Sequence, residues 1–336
     1  MTTLTERKEA FIKLGNFLGK TTEDFSKIIS QAEIQNAWFT QDNIFLALKS
    51  WQNALTEENL NKWLYRYDFL QSNPKTIAVI TAGNIPLVGF HDFLSVLICG
   101  HQIVIRQSSK DNVLLPYLAK YLESIEPGFK GKITFTEGKL EKFDAVIATG
   151  SNNTSRHFQY YFKEKPNIIR HNRNSVAVLT GNETQEQLQK LSDDIFSYFG
   201  LGCRNVSKIF VPENYDFNLF FNAVYHKSNI IDKIKYSNNY DYNKAVYLMS
   251  EFNILDNGFF MLKEDQSYSS PISVCFYEYY KNKDLLKEKL QAEQSQIQCI
   301  VSNGFMENEV AFGETQFPQL WDYADNIDTV NFLLKI

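Results

Sequence analysis

The sequence predicts an α/β fold: a parallel sheet with its connecting helices, a second α/β domain, and a helical segment at the N-terminus. Three observations carry this. Up to about residue 72, apolar side chains recur at three- and four-residue spacing, the pattern of amphipathic helices. From Asn73-Pro74 onward β-branched runs alternate with helical stretches, which implies parallel strands joined by right-handed crossovers. Finally, 336 residues of which 44% are hydrophobic suffice to bury cores for two domains.

Taken in order, the helical segment reads as Arg7 to Leu18, Thr21 to Gln35, Gln41 to Ala54 and Thr56 to Phe69, with Thr22 and Thr56 as N-caps ahead of acidic residues. Trp38, Trp51 and Trp63 are expected core anchors, and the segment carries no chemistry of its own. Strands follow at Lys75 to Thr81, Gln102 to Ile105, Lys132 to Thr136 and Ala145 to Ala148, with helices from the Ala82-to-Pro86 turn to Ile98, at Val113 to Ser124 and at Thr154 to Phe162. Ligands bind such sheets beyond the carboxyl ends of the strands. Those ends carry Gly83-Asn84, Arg106 to Lys110 and Thr149 to Asn152. No G-x-G-x-x-G follows the first strand, so a dinucleotide site cannot rest on that fingerprint. Gly150-Ser151 does open a helix, and free N–H groups at a helix start can hold a phosphate; a plain turn and cap is the other reading.

After Pro166 come Ile168-Ile169, the polar run R-H-N-R-N-S, a strand at Val176 to Leu179 and a helix from Thr184 to Phe199. A strand at Val206 to Val211 precedes helices at Phe217 to Tyr225 and Tyr242 to Met249. Further strands are expected at Ser273 to Tyr277 and Gln298 to Val301, and the aromatic tail closes with a packed segment, Thr329 to Leu334.

Charge and cysteine use narrow the function. The net charge is −5 with dispersed basic residues, which leaves no footprint for a nucleic-acid backbone. The N-terminal residues carry acidic groups and no apolar core of about seven, and no stretch nears about eighteen apolar residues, so a soluble, cytoplasmic protein without a membrane span is expected. Cys99, Cys203, Cys275 and Cys299 lie far apart with no CxxC pair, which argues for free thiols and against a metal site or disulfide framework.

The chemistry centres on Tyr198 to Pro212, Y-F-G-L-G-C-R-N-V-S-K-I-F-V-P. Gly200 and Gly202 give the backbone access to positive φ and present Cys203 at a turn followed by Arg204, a setting that favours the thiolate and exposes the sulfur to a carbonyl. A small hydrophobe closing a tight turn is the other reading of Cys203.

Taken together, T-A-G-N-I-P-L-V-G-F, V-I-R-Q-S-S-K-D, A-T-G-S-N-N-T-S and G-L-G-C-R-N-V-S-K-I-F-V-P resemble, in order and spacing, the aldehyde dehydrogenase superfamily. The tail motifs F-G-E-T-Q-F-P and D-Y-A-D-N-I-D-T-V are similar to its acyl-CoA reductase branch, related to the bacterial bioluminescence fatty acid reductase. The likeness covers roughly residues 74–336. It implies an aldehyde-dehydrogenase-like fold: a helical segment 1–72 packed on a dinucleotide-binding domain 73–200, a catalytic domain 201–310, and a tail 311–336 returning to the core.

Residue by residue, the resemblance makes Cys203 the nucleophile toward the acyl carbonyl and Asn84 the amide that, with the Cys203 N–H, holds the oxyanion. It places Arg106, where the superfamily has a lysine, near the adenosine ribose or a 2′-phosphate, with Ser108 and Ser109 beside it, and Gly150 and Ser151 over the pyrophosphate. Hydrolytic relatives carry a glutamate about thirty residues before the cysteine; here the segment from Arg170 to Ser175 has no carboxylate, which favours thiol exchange or reduction over hydrolysis. His171 in that segment is a candidate proton shuttle or a structural histidine.

The function implied is an acyl-CoA or other acyl-thioester reductase, forming an aldehyde through a Cys203 acyl-enzyme and hydride from NADPH, with NADH as the alternative reductant. The abundant aromatics, 27 Phe and 18 Tyr, agree with a long acyl chain. Rival readings are an NAD-dependent aldehyde dehydrogenase, an acyl-phosphate reductase, a cysteine acyltransferase or thioesterase without a dinucleotide, and an inactive subunit working through a partner. A homo-oligomer or an acyl-transferring partner enzyme is compatible with the sequence.

Overall fold

The computed structural model describes residues 2–20, 22–69 and 73–336. The expected helix start at Thr21 and the expected domain edge at residue 72 lie outside the described residues. The chain divides into two compact units, Met1–Asn172 with Phe317–Ile336, and Arg173–Gln316.

The first unit begins with α1 (Leu4–Leu18), α2 (Glu23–Gln35), α3 (Gln41–Ala54) and α4 (Glu57–Leu64). Thr3, Thr22, Thr40 and Thr56 cap them, each side-chain oxygen accepting a backbone N–H from the first turn, which satisfies a donor that the helix itself leaves unpaired. Helix α4 stops five residues before the expected Phe69, and Tyr67 leaves the helical path to place its hydroxyl 2.7 Å from Tyr323 Oη and 2.8 Å from Asp328 Oδ2. Trp63 is the anchor the sequence suggests: it is fully buried and its indole N–H donates to Tyr323 Oη at 2.7 Å. Trp38 and Trp51 are only partly buried against the same core.

Then follow β1 (Thr76–Ile80), α5 (Phe90–Ile98), β2 (Gln102–Arg106), α6 (Leu114–Ile125), β3 (Ile133–Phe135), β4 (Ala145–Thr149), α7 (Asn152–Phe162) and β5 (Asn167–Arg170). The strands form one parallel sheet in the order β3-β2-β1-β4-β5. Ile77, Ala78, Val79 and Ala145 to Ala148 are all buried, as parallel strands covered on both faces require. The chain winds outward from β1 to β3 on one side and returns to β4 on the other, so the strand order reverses at β1 and β4. That reversal is where α/β sheets hold their ligands.

The second unit is built from β6 (Asn174–Val178), α8 (Gln185–Phe196), β7 (Val206–Pro212), α9 (Phe217–Val224), α10 (Ile234–Met249), β8 (Ile254–Asp256), β9 (Met261–Glu264), β10 (Val274–Tyr280), α11 (Lys283–Ala292) and β11 (Ile297–Val301). Its sheet runs β11-β6-β7-β10-β9-β8, parallel except for the antiparallel β8–β9 pair. The division between units therefore falls at Asn172 and not at residue 200, because β6 pairs with β7 and α8 is the crossover between them. The tail also divides differently from the expected 311–336: residues up to Gln316 belong to the second unit, while Phe317–Ile336, with α12 (Thr329–Leu334), packs in the first.

A buried ion pair ties the first unit together. Arg170, at the end of β5, donates from Nη1 to Asp92 Oδ2 at 2.6 Å and from Nη2 to Asp92 Oδ1 at 2.7 Å, and reaches Thr329 Oγ1 at 3.1 Å. Asp92 and Arg170 are 2% and 6% exposed, so truncating either strands a charge out of water. Arg170→Ala is expected to lower unfolding stability by about 3–5 kcal/mol, measured by urea denaturation; a loss below about 1 kcal/mol would show that water reaches the pair.

Candidate active site

Two of the predicted stretches stand at the strand-order reversal of the first unit. After β1 the chain turns through Gly83 and Asn84; Asn84 is exposed and Gly83 is buried. A Cβ on Gly83 would lie 2.6 Å from Ser108 Oγ, so only glycine lets this turn pack on the loop that follows β2. Arg106, the last residue of β2, is exposed, and the loop carries Ser109 and Lys110, both exposed, and the half-buried Ser108. It is fastened from α2, a support the sequence does not announce: Gln35 Nε2 donates to Ser109 O at 2.8 Å, and Asn36 Nδ2 to Lys110 O at 3.2 Å.

Asp111 closes the same region. Its Oδ2 accepts the Leu87 N–H at 3.0 Å, which pins the far end of the Asn84 turn where Leu87 takes φ 58°. Its Oδ1 has no hydrogen-bond partner among the described residues. Burial pushes the carboxyl up to about 7 against the opposing pull of the Leu87 N–H. The native state thus keeps this proton well above the pH at which an unfolded aspartate loses it, so the folded state is favoured below about 4 and that advantage fades as pH rises toward about 7. Asp111→Asn is expected to gain stability relative to the native protein progressively across that window, by a few kcal/mol in thermal or urea unfolding at a series of pH values; a pH-independent difference would contradict the assignment.

After β4, Ser151 is the N-cap of α7, accepting the Thr154 N–H at 3.3 Å, so the helix opens at Asn152 and not at Thr154. Gly150 precedes it, and a Cβ there would sit 3.0 Å from Thr154 Cβ. His171 lies against the same helix: Nδ1 is 2.9 Å from Ser155 Oγ, and Gln159 Nε2 is 3.2 Å from His171 Nε2. Both ring nitrogens therefore face partners on α7, and the Asp325 carboxylate accepts the His171 backbone N–H at 3.3 Å. Arg106 at the end of β2, Ser108 packed on the Gly83 turn, and the helix start at Ser151 after β4 all lie at carboxyl ends of strands in this sheet, the side on which such sheets hold ligands, and their charge and polarity suit an anionic group.

Cys203 belongs to the second unit, on the turn leading into β7. The helix before it ends at Phe196, earlier than the expected Phe199, and Tyr198, Phe199 and Gly200 take φ of 51°, 57° and 76°. Positive φ thus falls on two aromatic residues ahead of Gly200, and Gly202 is not in that region. Every neighbour of the cysteine is tied down. Gly202 N–H donates to Asn205 Oδ1 at 2.8 Å, and Arg204 Nε donates to Thr315 O at 2.7 Å. Ser175 Oγ donates to the Cys203 carbonyl at 2.9 Å and lies 3.0 Å from Cys299 Sγ. Cys203 and Cys299 are half-buried, whereas Cys99 and Cys275 are fully buried, with thiols pushed well above the usual range by loss of water. No disulfide joins any of the four. Ser175 and Cys299 are site neighbours that the sequence does not single out, since their placement depends on strand pairing across the sheet; Asn205 is local to the turn.

Among the described residues no cluster of three His, Cys, Asp or Glu side chains is placed to hold a metal. No helix among them is long and apolar enough to cross a membrane.

Comparison with known proteins places this architecture. The chain is similar to the structure of aldehyde dehydrogenase 21 from Physcomitrella patens in complex with succinate, at TM-score 0.69 and 13% identity over 99% of this chain and 84% of that one. It is similar also to the NAD+ complex of an aldehyde dehydrogenase from Bacillus cereus, at TM-score 0.62 and 14% identity over 90% and 72%. The aldehyde dehydrogenase KauB from Pseudomonas aeruginosa matches at TM-score 0.64 and 11% identity over 92% and 78%. These likenesses establish an aldehyde-dehydrogenase-like fold. No curated protein matches the chain in sequence. The family model described as "Acyl-CoA reductase (LuxC)" matches residues 20–250, well over half of the chain, and the protein therefore belongs to the LuxC family of acyl-CoA reductases, a family of oxidoreductases.

Proposed function

We propose that this protein reduces an acyl thioester, acyl-CoA in the first instance, to the aldehyde through an acyl-enzyme on Cys203. The observation that carries the reading is the Cys203 turn: a half-buried thiol whose own carbonyl, preceding amide and following side chain are each hydrogen-bonded, so that the sulfur is presented on fixed backbone. Preorganised geometry of this kind is what nucleophilic catalysis asks of a cysteine.

In this reading the Cys203 thiolate attacks the thioester carbonyl, and the developing oxyanion is received by amide donors, the role that the resemblance gives to Asn84. The bond from carbonyl carbon to the carrier sulfur breaks, and the carrier leaves as its thiol after taking a proton. A nicotinamide coenzyme, when bound, would supply a hydride to the thioester carbonyl carbon, after which the carbon–sulfur bond to Cys203 breaks, the aldehyde leaves and the thiolate is restored. Arg106, Ser108, Ser109, Gly150 and Ser151 are the residues that would hold it; the exposed Arg106 guanidinium offers a cation for a 2′-phosphate, which supports NADPH over NADH. His171, with both ring nitrogens engaged by α7, supports the Gly150-Ser151 helix start better than it serves as a proton shuttle.

The segment from Arg170 to Ser175 offers no carboxylate to activate water, and Arg170 itself is locked to Asp92. This supports release of aldehyde over release of acid. The test is NADPH consumption by the purified protein over a panel of acyl-CoAs, with the product trapped as a hydrazone. Aldehyde in step with NADPH loss is expected; free acid without NADPH loss would mean a thioesterase.

A further inference from the structure

We infer that Asp194 is a positioning residue for the Cys203 turn, acting through the Gly313–Thr315 segment and Arg204; this rests on the reading of Cys203 as the nucleophile. Asp194 lies on α8 and is completely buried. Its Oδ2 accepts the Gly313 N–H at 2.7 Å and its Oδ1 accepts the Thr315 N–H at 3.0 Å. Gly313 takes φ 87°, which lets the segment curl so that both amides reach one carboxylate. Thr315 in turn accepts Arg204 Nε on its carbonyl at 2.7 Å, on the residue next to the cysteine. The backbone of Asp194 holds the other side of the turn: its carbonyl accepts Asn205 Nδ2 at 3.0 Å, while Asn205 Oδ1 accepts the Gly202 N–H. Both residues flanking Cys203 are thus fastened to structure that one aspartate anchors.

The chemistry of the site argues against mere packing. Among the described residues Asp194 pairs with no cation, and a buried carboxylate without one opposes folding. Burial pushes it up to about 6, with the two amides pulling the other way and Asp193 adding a small push upward. The charged groups around it are otherwise engaged or turned outward: Lys227 pairs with Asp193, Lys190 with Glu186, and His226 meets Ser192. Glu314 stands on the clamped segment and is exposed, and Arg204 is spent on Thr315. At neutral pH the carboxylate is ionised and accepts two N–H groups, which neither a neutral amide nor a protonated acid can do with both oxygens.

In the full chain, Asp194→Asn is expected to slow acyl labelling of Cys203 by radiolabelled acyl-CoA by about tenfold at neutral pH, with circular dichroism unchanged. The native labelling rate is expected to fall as pH drops through about 6, and the variant should lose the part of that fall that Asp194 contributes. A folded variant labelled at the native rate, with the native pH profile, would overturn the assignment. If Asp194→Asn does not fold, Arg204→Gln cuts the other end of the link and should give the same loss; a native rate there is equally fatal. Were native Cys203 itself never labelled, the nucleophile reading would fail while the clamp stays testable by amide exchange. Gly313 and Thr315 should lose protection below about pH 6, beyond the intrinsic pH dependence, and unchanged protection would refute the clamp.

Discussion

Cys203→Ala is expected to abolish both acyl labelling of the protein and thioester-dependent NADPH oxidation, a loss of at least about 10⁴-fold. The size follows from the role: without the sulfur no covalent intermediate forms, and what remains is binding of substrate beside polar groups. The neighbouring thiol provides an internal control. Cys299 is also half-buried and shares the Ser175 hydroxyl, yet it sits within β11 and not on a glycine-bounded turn. Cys299→Ala should therefore retain labelling, detected on the peptide that contains Cys203. Label surviving in Cys203→Ala, or found on Cys299 in the native protein, would move the nucleophile to the other thiol.

Asn84→Ala is expected to lower kcat by about 10²–10³-fold with little change in KM, because an oxyanion donor acts on charge that develops only in the transition state. Asn84 is exposed on the turn after β1, and that turn is held from behind by Asp111 on the Leu87 N–H and by the packing of Gly83 on Ser108. Removing the amide leaves those supports intact, so the turn itself should keep its place. A rise in KM at constant kcat would mean that Asn84 binds substrate and does not stabilise the reacting oxygen.

The elements that were legible in the sequence are those bounded by strong local signals. β1, β2 and β4 are β-branched runs between Asn-Pro, Gly-His and Gly-Ser punctuation, and Thr22 and Thr56 mark two helix starts; the caps at Thr3 and Thr40 are not singled out, and α1 opens at Leu4, ahead of the expected Arg7. Periodicity does not say which sheet a strand joins, and so β6 is placed with the wrong unit: only its pairing with β7 and β11 assigns it to the second. β8 and β9 are three and four residues long and end in acidic residues, and half of α11 is charged, so none has a clear apolar pattern. The left-handed backbone at Tyr198 and Phe199 is also beyond local rules, since bulky residues avoid that region unless the surrounding fold imposes it.

The candidate site divides in the same way. Cys203, Asn84 and Gly150-Ser151 are candidates read from motif order. Their supports are not, because a polar residue in a sequence does not reveal whether it will be buried or what it will meet. Asp111 reaches a turn 24 residues away, Arg204 a carbonyl 111 residues away and Asp194 an amide 121 residues away. Gln35 and Asn36, from a segment that reads as devoid of chemistry, hold the loop carrying Ser108 and Ser109 from more than seventy residues upstream.

The most direct measurement is a chase. Native protein is loaded with radiolabelled acyl-CoA in the absence of reductant, the carrier is removed by desalting, and the label is located by peptide mass on Cys203 before NADPH is added. The label should then leave the protein as aldehyde, one equivalent for each NADPH consumed. Label that stays on the protein, or that leaves as free acid with NADPH untouched, would contradict reduction through a Cys203 thioester.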